Sequence, residues 1–217
     1  MKIGLIGAGR IGQLHAELLT YNVPGAAIKT AAEINLAGVK EWAQRLNILN
    51  ITADYTEVLN DSEIEAVLIC SSTDTHAHMI IAAAKAGKHI FCEKPIDFNI
   101  EKIKQALNSV EAAGVKLQIG FNRRFDHNFK QVRELVESGK VGDVHIVKIT
   151  SRDPAPPPIE YVKVSGGIFL DMAIHDFDMA RYLSVSEVDE VYAQGAVLID
   201  PAIGQVGDEY GYHHLKI

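Results

Sequence analysis

The sequence predicts an α/β protein: a doubly wound parallel sheet over residues 1–120, followed by a second, α+β domain over residues 121–217. Three observations predict this arrangement. Short apolar runs alternate with longer amphipathic stretches in the first 120 residues, a glycine-rich turn follows the first run, and the alternation changes after that point. Strands separated by helices pair in parallel through right-handed crossovers, which gives a doubly wound sheet.

Five apolar runs are the predicted strands of the first domain: Lys2–Ile6, Ala26–Ala32, Ala66–Cys70, His89–Cys92 and Val115–Gly120. The stretches between them are predicted helices: Ile11–Leu19, Leu36–Leu46, Thr75–Ala86 and Ile100–Ala113. In the last of these, apolar residues recur at spacings of three and four, so that they share one helical face.

The second domain combines both kinds of pattern. Asp126–Ser138 and Ile168–Leu183 are predicted helices, the first closed by a glycine. Val144–Ser151 and Val188–Val197 alternate apolar and polar residues, as half-buried strands do. The proline-rich segment Asp153–Pro158 between them is predicted to be a substrate-side loop or a plain connector.

The composition limits the classes of partner. The chain of 217 residues has 47% hydrophobic residues and a formal net charge of −7, which is typical of a globular protein and argues against nucleic acid as its partner. No apolar run reaches the roughly 20 residues that cross a bilayer. The two cysteines do not suggest a disulfide framework, and the N-terminus does not resemble a signal peptide, so we expect a cytoplasmic location.

Gly7, Gly9 and Gly12 form the pattern G-x-G-x-x-G directly after the first strand, with Arg10 and Ile11 between the last two glycines. This is the context that a Rossmann dinucleotide-binding turn requires. The first glycine permits the tight turn, the second leaves room for the pyrophosphate, and the third lets helix and strand pack closely. The alternative is a glycine-rich turn that binds no ligand.

Glu33 ends the second strand, where a carboxylate accepts hydrogen bonds from the adenosine ribose. Its charge would repel a 2′-phosphate, and no Arg or Lys follows in the next three residues. NAD is therefore favoured over NADP as the cofactor. The alternative role for Glu33 is to cap the following helix.

The loop after the strand ending at Cys70 is also predicted to line the cofactor, because ligands of open α/β sheets bind beyond the carboxyl ends of the strands. Ser71, Thr73 and His76 are its candidate cofactor-binding residues, whereas Asp74 fits a helix cap equally well. A metal site at His76 and His78 is disfavoured, because two residues in i, i+2 positions face different sides of a helix.

Three segments carry a resemblance to a known family: AKAGKHIFCEKP at 84–95, QIGFNRRFD at 118–126 and GGIFLDMAIHDFD at 166–178. Together with the N-terminal glycine pattern, the first is similar to the Gfo/Idh/MocA-type oxidoreductases. The other two resemble its inositol dehydrogenase branch. The resemblance runs from residue 1 to about residue 207.

The resemblance implies an NAD-dependent dehydrogenase that transfers a hydride from a secondary alcohol of inositol to NAD, converting myo-inositol to its 2-keto product. It also implies a catalytic lysine, aspartate and histidine, which Lys94, Asp171 and His175 match. A related sugar or scyllo-inositol dehydrogenase, or a truncated remnant that binds NAD without turnover, remains an alternative. Glu93 and Lys94 are additionally expected beside the cofactor.

The chemistry of these side chains agrees with that role. Oxidation of an alcohol needs a base, and the imidazole of His175 titrates nearest neutral pH. Asp171, four residues earlier, can orient the ring, and Lys94 can donate to the substrate oxygen. Lys94, Asp171 and His175 are thus expected to contact a small cyclic polyol or sugar. Arg123 and Asp153 are further candidates for substrate contact, or else form solvent ion pairs.

The chain also departs from the family pattern. Ala173 stands where relatives often carry a hydroxyl group. Family chains run considerably further, so we interpret this one as a fragment or C-terminally altered form whose second domain holds an incomplete open sheet. The last stretch, Asp208–Ile217, does not resemble the family, and His213-His214 within it is a weak metal-pair candidate. The family further implies a homo-oligomer, which is a tetramer in full-length relatives.

Overall fold

The computed structural model describes residues 1–197 and 200–206, and the chain divides into two compact units, Met1–Gly120 and Phe121–Ile217. Each unit has its own helices, and the sheet lies in the first unit. Among the described residues, no helix has both the length and the apolar character needed to cross a membrane.

Parallel strands form a single sheet in the first unit: β1 (Lys2–Ile6), β2 (Ala27–Ala32), β3 (Asn50–Thr52), β4 (Ala66–Ile69), β5 (His89–Cys92) and β6 (Leu117–Ile119). Their order is β3-β2-β1-β4-β5-β6. The order reverses between β1 and β4, which is the topological switch point where open α/β sheets bind ligands. The predicted α/β class with a doubly wound parallel sheet is confirmed.

Helices connect the strands of this unit: α1 (Arg10–Asn22), α2 (Leu36–Arg45), α3 (Tyr55–Asn60), α4 (Thr73–Lys85) and α5 (Ile100–Ala113). The sequence pattern predicted four of them and gave no sign of β3 or α3. Both of these elements are short, with three and six residues, and such lengths carry no readable periodicity.

The first unit has one apolar core on each face of its sheet. Leu5 packs on one face with Ala16 of α1 and Trp42 of α2. Ile6, the next residue of the same strand, packs on the other face with Ile80 of α4 and further apolar side chains of α3 and α5. Successive residues of a strand point to opposite faces, so each central strand contributes to both cores.

The second unit is helical in its described part. A 3₁₀ turn (Asn122–Phe125) is followed by α6 (His127–Glu137), α7 (Ile159–Ser165), a π-helical segment (Phe169–Ala173), α8 (Ile174–Ser184) and α9 (Ile203–Val206). The predicted helices at 126–138 and 168–183 are confirmed within one residue at each end. Asp126 caps α6, because its side chain accepts the N–H groups of Asn128 and Phe129.

The two strands predicted in this unit are wrong. Val144–Ser151 and Val188–Val197 are irregular and form no strand. Alternation shows that a segment can lie half-buried in a sheet, but the strand itself exists only when a neighbour supplies the ladder of hydrogen bonds. Among the described residues, neither segment pairs with another strand.

Candidate functional site

The glycine loop after β1 is closely packed at two of its three glycines. Gly7 has φ = +90°, a conformation that L side chains rarely adopt, and a Cβ there would lie 2.5 Å from the backbone nitrogen of Ser71. A Cβ on Gly12 would lie 2.0 Å from the carbonyl oxygen of Gly7. These two glycines are therefore required by the packing of the loop against itself and against the loop that follows β4.

Gly9 differs from both, because no heavy atom of the described residues lies within 4 Å of a Cβ built on it. Gly9 is the N-cap of α1, and no side chain in the described structure caps this helix or places an acidic group in its first turn. Arg10 and Ile11 are the first two helical residues. The uncapped N–H groups and the open space above Gly9 fit a pyrophosphate, which α1 would bind through its N-terminus.

Glu33 lies directly after β2 and against the glycine loop. Its Oε2 accepts the backbone N–H of Ala8 at 2.8 Å, and its Oε1 accepts that of Asn35 at 3.1 Å. A carboxylate has about four lone-pair sites, so capacity remains for ribose hydroxyls. The alternative of a helix cap is wrong, because Asn35 is the residue that caps α2, through the N–H of Gly38.

The loop after β4 faces the switch point from the other side. Ser71 exchanges a hydrogen bond with Thr75 at 2.7 Å between the two hydroxyl oxygens. Ser72, rather than Asp74, is the N-cap of α4, and Thr73 is its first residue. Ser71 and Thr73 are half-buried, which leaves part of each side chain accessible from this edge of the sheet.

His76 is buried beneath that loop, and both of its ring nitrogens face backbone carbonyls. Nδ1 lies 2.8 Å from the oxygen of Pro95, and Nε2 lies 3.0 Å from the oxygen of Ser71. The expectation that His76 contacts the cofactor is therefore revised. Its ring ties the loop after β4 to the Lys94–Pro95 segment after β5, whose peptide bond is cis.

Glu93 links three elements at the carboxyl end of the sheet. Its Oε1 lies 2.7 Å from Nε2 of His15 on α1, and its Oε2 accepts the backbone N–H of Lys94 at 3.2 Å. A Cβ on Gly120, just after β6, would lie 3.0 Å from the carboxylate. Burial opposes ionisation of Glu93, but the hydrogen bond and charge of His15, with those of Lys94, outweigh it and lower its pKa.

His15 is a site residue that the sequence did not predict. Its position on α1, three residues after Gly12, carries no pattern that distinguishes it from any other half-buried helical residue. Its partner comes from a strand end 78 residues later in the chain. Only the pairing of β1, β4 and β5 brings the two together.

The two cysteines do not offer a nucleophile at this edge of the sheet. Both are free thiols, and Cys92 is buried. Burial, reinforced by the charge of Glu93, raises the pKa of Cys70 to about 12. Burial likewise raises the pKa of Cys92. Both thiols are therefore protonated and unreactive near neutral pH.

In the second unit, Asp171 and His175 lie on either side of the junction between the π-helical segment and α8. Asp171 accepts a hydrogen bond from the Tyr161 hydroxyl at 2.8 Å. His175 stands edge-on to the ring of Phe121, with 6.5 Å between ring centroids. Both side chains are half-buried. π-Helical turns inside helices are frequent at functional sites, and this one alters the spacing between the two residues.

Arg123 is held by an ion pair in the same unit. Its guanidinium lies 2.5 Å from Asp176, which also accepts the Ser151 hydroxyl at 2.6 Å. The ion-pair alternative thus describes Arg123 in this structure, although donors of its guanidinium remain for a ligand. Asp153 is exposed in the irregular segment that precedes α7, and Ala173 is buried.

The predicted site residues therefore form two groups. Gly7, Gly9, Gly12, Glu33 and Ser71 surround the switch point of the first unit, with Glu93 and Lys94 at the end of the neighbouring strand β5. Asp171, His175 and Arg123 belong to the second unit. That Lys94 converges with Asp171 and His175 on one pocket stays a prediction.

No group of three or more potential ligands among His, Cys, Asp and Glu could hold a metal ion in the part of the chain that the structure describes. His76 and His78 are engaged instead with backbone carbonyls and with Tyr55, respectively. The pair His213-His214 lies outside the described residues, as does the stretch from Asp208 to Ile217.

Comparison with family models identifies both parts of the chain. A model described as an oxidoreductase family with an NAD-binding Rossmann fold, GFO_IDH_MocA, matches residues 1–121. A second model, the GFO/IDH/MocA C-terminal domain, matches residues 129–213.

Individual relatives share these features. The chain is 49% identical over 208 residues to a myo-inositol 2-dehydrogenase of Thermotoga maritima and 48% identical over 208 residues to an inositol 2-dehydrogenase of Rhizobium meliloti. In both cases 96% of this chain is aligned with 62% of the relative, so the chain spans about three fifths of their length.

One of the solved structures that contain bound ligands is similar to this chain over most of its length. It is a scyllo-inositol dehydrogenase from Lactobacillus casei with bound NAD(H) and scyllo-inositol, 34% identical, with a TM-score of 0.84 over 95% of this chain and 62% of that one.

Proposed function

Because the chain belongs to the Gfo/Idh/MocA family of NAD-binding oxidoreductases, we propose that it oxidises a secondary alcohol of a cyclic polyol with NAD⁺, with myo-inositol as substrate and its 2-keto derivative as product. The observation that carries the proposal is that Lys94, Asp171 and His175 occur together in a chain 49% identical to a myo-inositol 2-dehydrogenase.

The first unit supplies the cofactor site in this proposal. The open space at Gly9 and the uncapped N-terminus of α1 suit the pyrophosphate, and Glu33 suits the adenosine ribose. When bound, NAD⁺ supplies the hydride acceptor. The sequence expectation of NAD over NADP rests on the charge of Glu33, which opposes a 2′-phosphate.

The second unit supplies the base. His175 takes the hydroxyl proton as the carbon loses its hydride, and the imidazolium that forms is favoured by the nearby Asp171 carboxylate. Tyr161, which donates to Asp171, fixes that carboxylate. Lys94 donates to the substrate oxygen and stabilises its alkoxide character until the carbonyl forms. Arg123 and Asp153 contact the remaining hydroxyl groups.

A scyllo-inositol dehydrogenase is the second candidate function. The solved relative with NAD(H) and scyllo-inositol supports it, because its fold matches this chain with a TM-score of 0.84. The two inositols differ in the orientation of one hydroxyl group, so the same base and the same lysine would serve both reactions.

The test is a turnover assay of this chain with NAD⁺ or NADP⁺ and a panel of myo-inositol, scyllo-inositol and aldoses. We expect NADH to form with myo-inositol, and His175→Ala to lower the turnover number by about 100-fold, the usual contribution of a positioned general base. His127→Ala is the matched control, because His127 is an exposed histidine in the same unit.

The outcomes separate the candidates. Turnover of scyllo-inositol alone would select the second candidate, and turnover of aldoses alone would select a sugar dehydrogenase. NADH binding without turnover of any polyol would contradict catalysis by this chain and would indicate a protein that only binds the dinucleotide.

The proposal also assigns a role to each domain and an oligomeric state to the protein. Residues 1–120 bind NAD, whereas residues 121–217 bind substrate and contribute subunit contacts. We propose a homo-oligomer, as the family implies, and a cytoplasmic location. Analytical ultracentrifugation tests the assembly, and a monomer at all concentrations would contradict it.

A further inference from the structure

The histidine on the phosphate-binding helix is held from two sides. Nε2 of His15 lies 2.7 Å from Oε1 of Glu93, and both side chains are mostly buried, with 26% and 20% of their surfaces exposed. The imidazole also stands edge-on to Phe91 of β5, with 5.0 Å between ring centroids. A single imidazole thus connects α1 to the strand that ends at the predicted catalytic lysine.

The carboxylate of Glu93 passes this constraint to Lys94. Its second oxygen accepts the backbone N–H of Lys94 at 3.2 Å. The side of the carboxylate near β6 is closed as well, because its atoms come within 3.0 Å of a Cβ built on Gly120. The lowered pKa of Glu93 means that this group is charged at neutral pH, so its hydrogen bonds are charge-assisted and comparatively strong.

Helix α1 is also the element that would hold the pyrophosphate, since its first turn is uncapped and Gly9 is open. Movement or stiffening of α1 on cofactor binding therefore reaches Lys94 through two hydrogen bonds, His15 to Glu93 and Glu93 to the Lys94 backbone. We propose that His15 is a positioning residue that fixes Lys94 through Glu93 and couples its placement to cofactor binding at Gly9. The inference rests on the proposed function only for the catalytic role of Lys94.

The direct test measures amide hydrogen exchange at Lys94 by NMR in this chain, which does not depend on turnover. His15→Leu cannot donate a hydrogen bond, so we expect the Lys94 amide to exchange about tenfold faster, the effect of one lost hydrogen bond of ordinary strength. His15→Gln keeps a side-chain N–H of similar reach and should restore slow exchange.

Two references exclude a general loss of structure. The amide of Ile90, in the strand β5 that precedes Lys94, donates to the Lys116 carbonyl at 2.8 Å. It should exchange within about twofold of the unmutated rate, the scatter expected of an undisturbed amide. His78→Leu is the matched control, because the His78 ring also pairs through Nε2 and stands edge-on to an aromatic ring, that of Tyr55. His78→Leu should leave the exchange rate of the Lys94 amide unchanged.

The coupling is tested by adding NAD⁺. In the unmutated chain NAD⁺ should slow exchange at Lys94 further, whereas in His15→Leu it should protect the amide of Ile11 at the start of α1 without protecting Lys94. Should His15→Leu fail to fold, His15→Asn, which is too short to reach Glu93, replaces it in the comparison with His15→Gln.

Equal exchange at Lys94 in the unmutated chain and His15→Leu, or the same acceleration in His78→Leu, would overturn the inference. In steady-state kinetics, we expect His15→Leu to lower kcat about tenfold with little change in the KM for NAD⁺. His15→Gln should recover most of the lost kcat. If the chain turns over no polyol, the proposed function fails, while the exchange measurements still decide the role of His15.

Discussion

At the scale of single residues, the Glu33 carboxylate accepts the Ala8 N–H of the glycine loop, and its charge is predicted to repel a 2′-phosphate and so to set the cofactor preference. We expect Glu33→Ala to reduce the preference for NADH over NADPH by about tenfold, because a nearby charge at a partly exposed site contributes on this order. Glu33→Gln separates the two roles, since it removes the charge but keeps an acceptor for Ala8. Fluorescence titration with both dinucleotides measures the ratio. Comparable affinities in the unmutated chain would show that Glu33 does not set the preference.

Glu93 gives a pH dependence of stability at the same scale. Its pKa in the folded chain lies below the ordinary value of 4.5, so ionised Glu93 stabilises the fold at pH values above 4.5. This contribution is lost as the pH falls through the lowered pKa. We expect the difference in free energy of unfolding between the unmutated chain and Glu93→Gln to be full at about pH 6 and to shrink toward about pH 3. Urea titrations at several pH values test this, and a difference that grows on acidification would contradict it.

At the scale of elements, the three glycines of the loop between β1 and α1 have different physical roles. Gly12→Ala places a Cβ 2.0 Å from the Gly7 carbonyl oxygen, and we expect it to cost about 3 kcal/mol in stability, the upper range for overpacking. Gly9→Ala meets no described atom and should leave stability within about 0.5 kcal/mol. It should nevertheless weaken NAD binding at least about tenfold, because the methyl group occupies the space above the helix N-terminus. Thermal unfolding and NADH titration of both variants separate the roles. Unchanged NAD affinity in Gly9→Ala would place the pyrophosphate elsewhere.

The packing of the 3₁₀ turn on α8 allows a second prediction at this scale. Arg124 donates to Asp178 through both Nε and Nη2, and the hydrogen bond to Asp178 raises the pKa of the guanidinium. Asp178 is 7% exposed whereas Arg124 is 39% exposed. Removing the arginine leaves the buried carboxylate of Asp178 without its ion-pair partner. Arg124→Met should therefore destabilise the second unit by about 3 kcal/mol. Asp178→Asn leaves a guanidinium that water reaches, and should cost about half as much. Circular dichroism during urea unfolding measures both variants, and the reverse order would contradict the argument.

At the scale of the whole molecule, the two units have cores of different size. The first unit holds an apolar cluster on each sheet face, whereas the buried apolar side chains of the second unit, among the described residues, are Val162, Ile168, Ala173, Met179, Ala180 and Ile203. Stability grows with the apolar area removed from water, so the second unit should unfold first. Trp42, the single tryptophan of the chain, is buried in the first unit and reports that unit alone.

We therefore expect the part of the helix signal that comes from the second unit to be lost before the Trp42 fluorescence transition in urea. NAD⁺ at about 100 times its Kd should stabilise the Trp42 transition by about 2.7 kcal/mol and leave the earlier one nearly unchanged. Coincident transitions that both respond to NAD⁺ would show that the units unfold as one body. Gly9→Ala is a control, because it should markedly reduce the shift at this concentration without altering the transition in the absence of cofactor.

The sequence by itself determined the α/β class, five of the strands, the helices that exceed two turns in the first unit, and the cofactor loop. These features depend on local periodicity and on glycine positions, which are properties of neighbouring residues in the chain. The short elements β3 and α3 lacked such periodicity, and the strands predicted at 144–151 and 188–197 failed because strand structure requires a partner.

Only the tertiary structure decided which side chains meet. Glu33 binds the loop after β1, His76 joins the loops after β4 and β5, and His15 reaches Glu93 across 78 positions of sequence. Each contact depends on the strand order β3-β2-β1-β4-β5-β6, which aligns the carboxyl ends of distant strands at one edge. A sequence pattern records the period of each element, but the distance between two side chains is fixed only when the sheet is assembled.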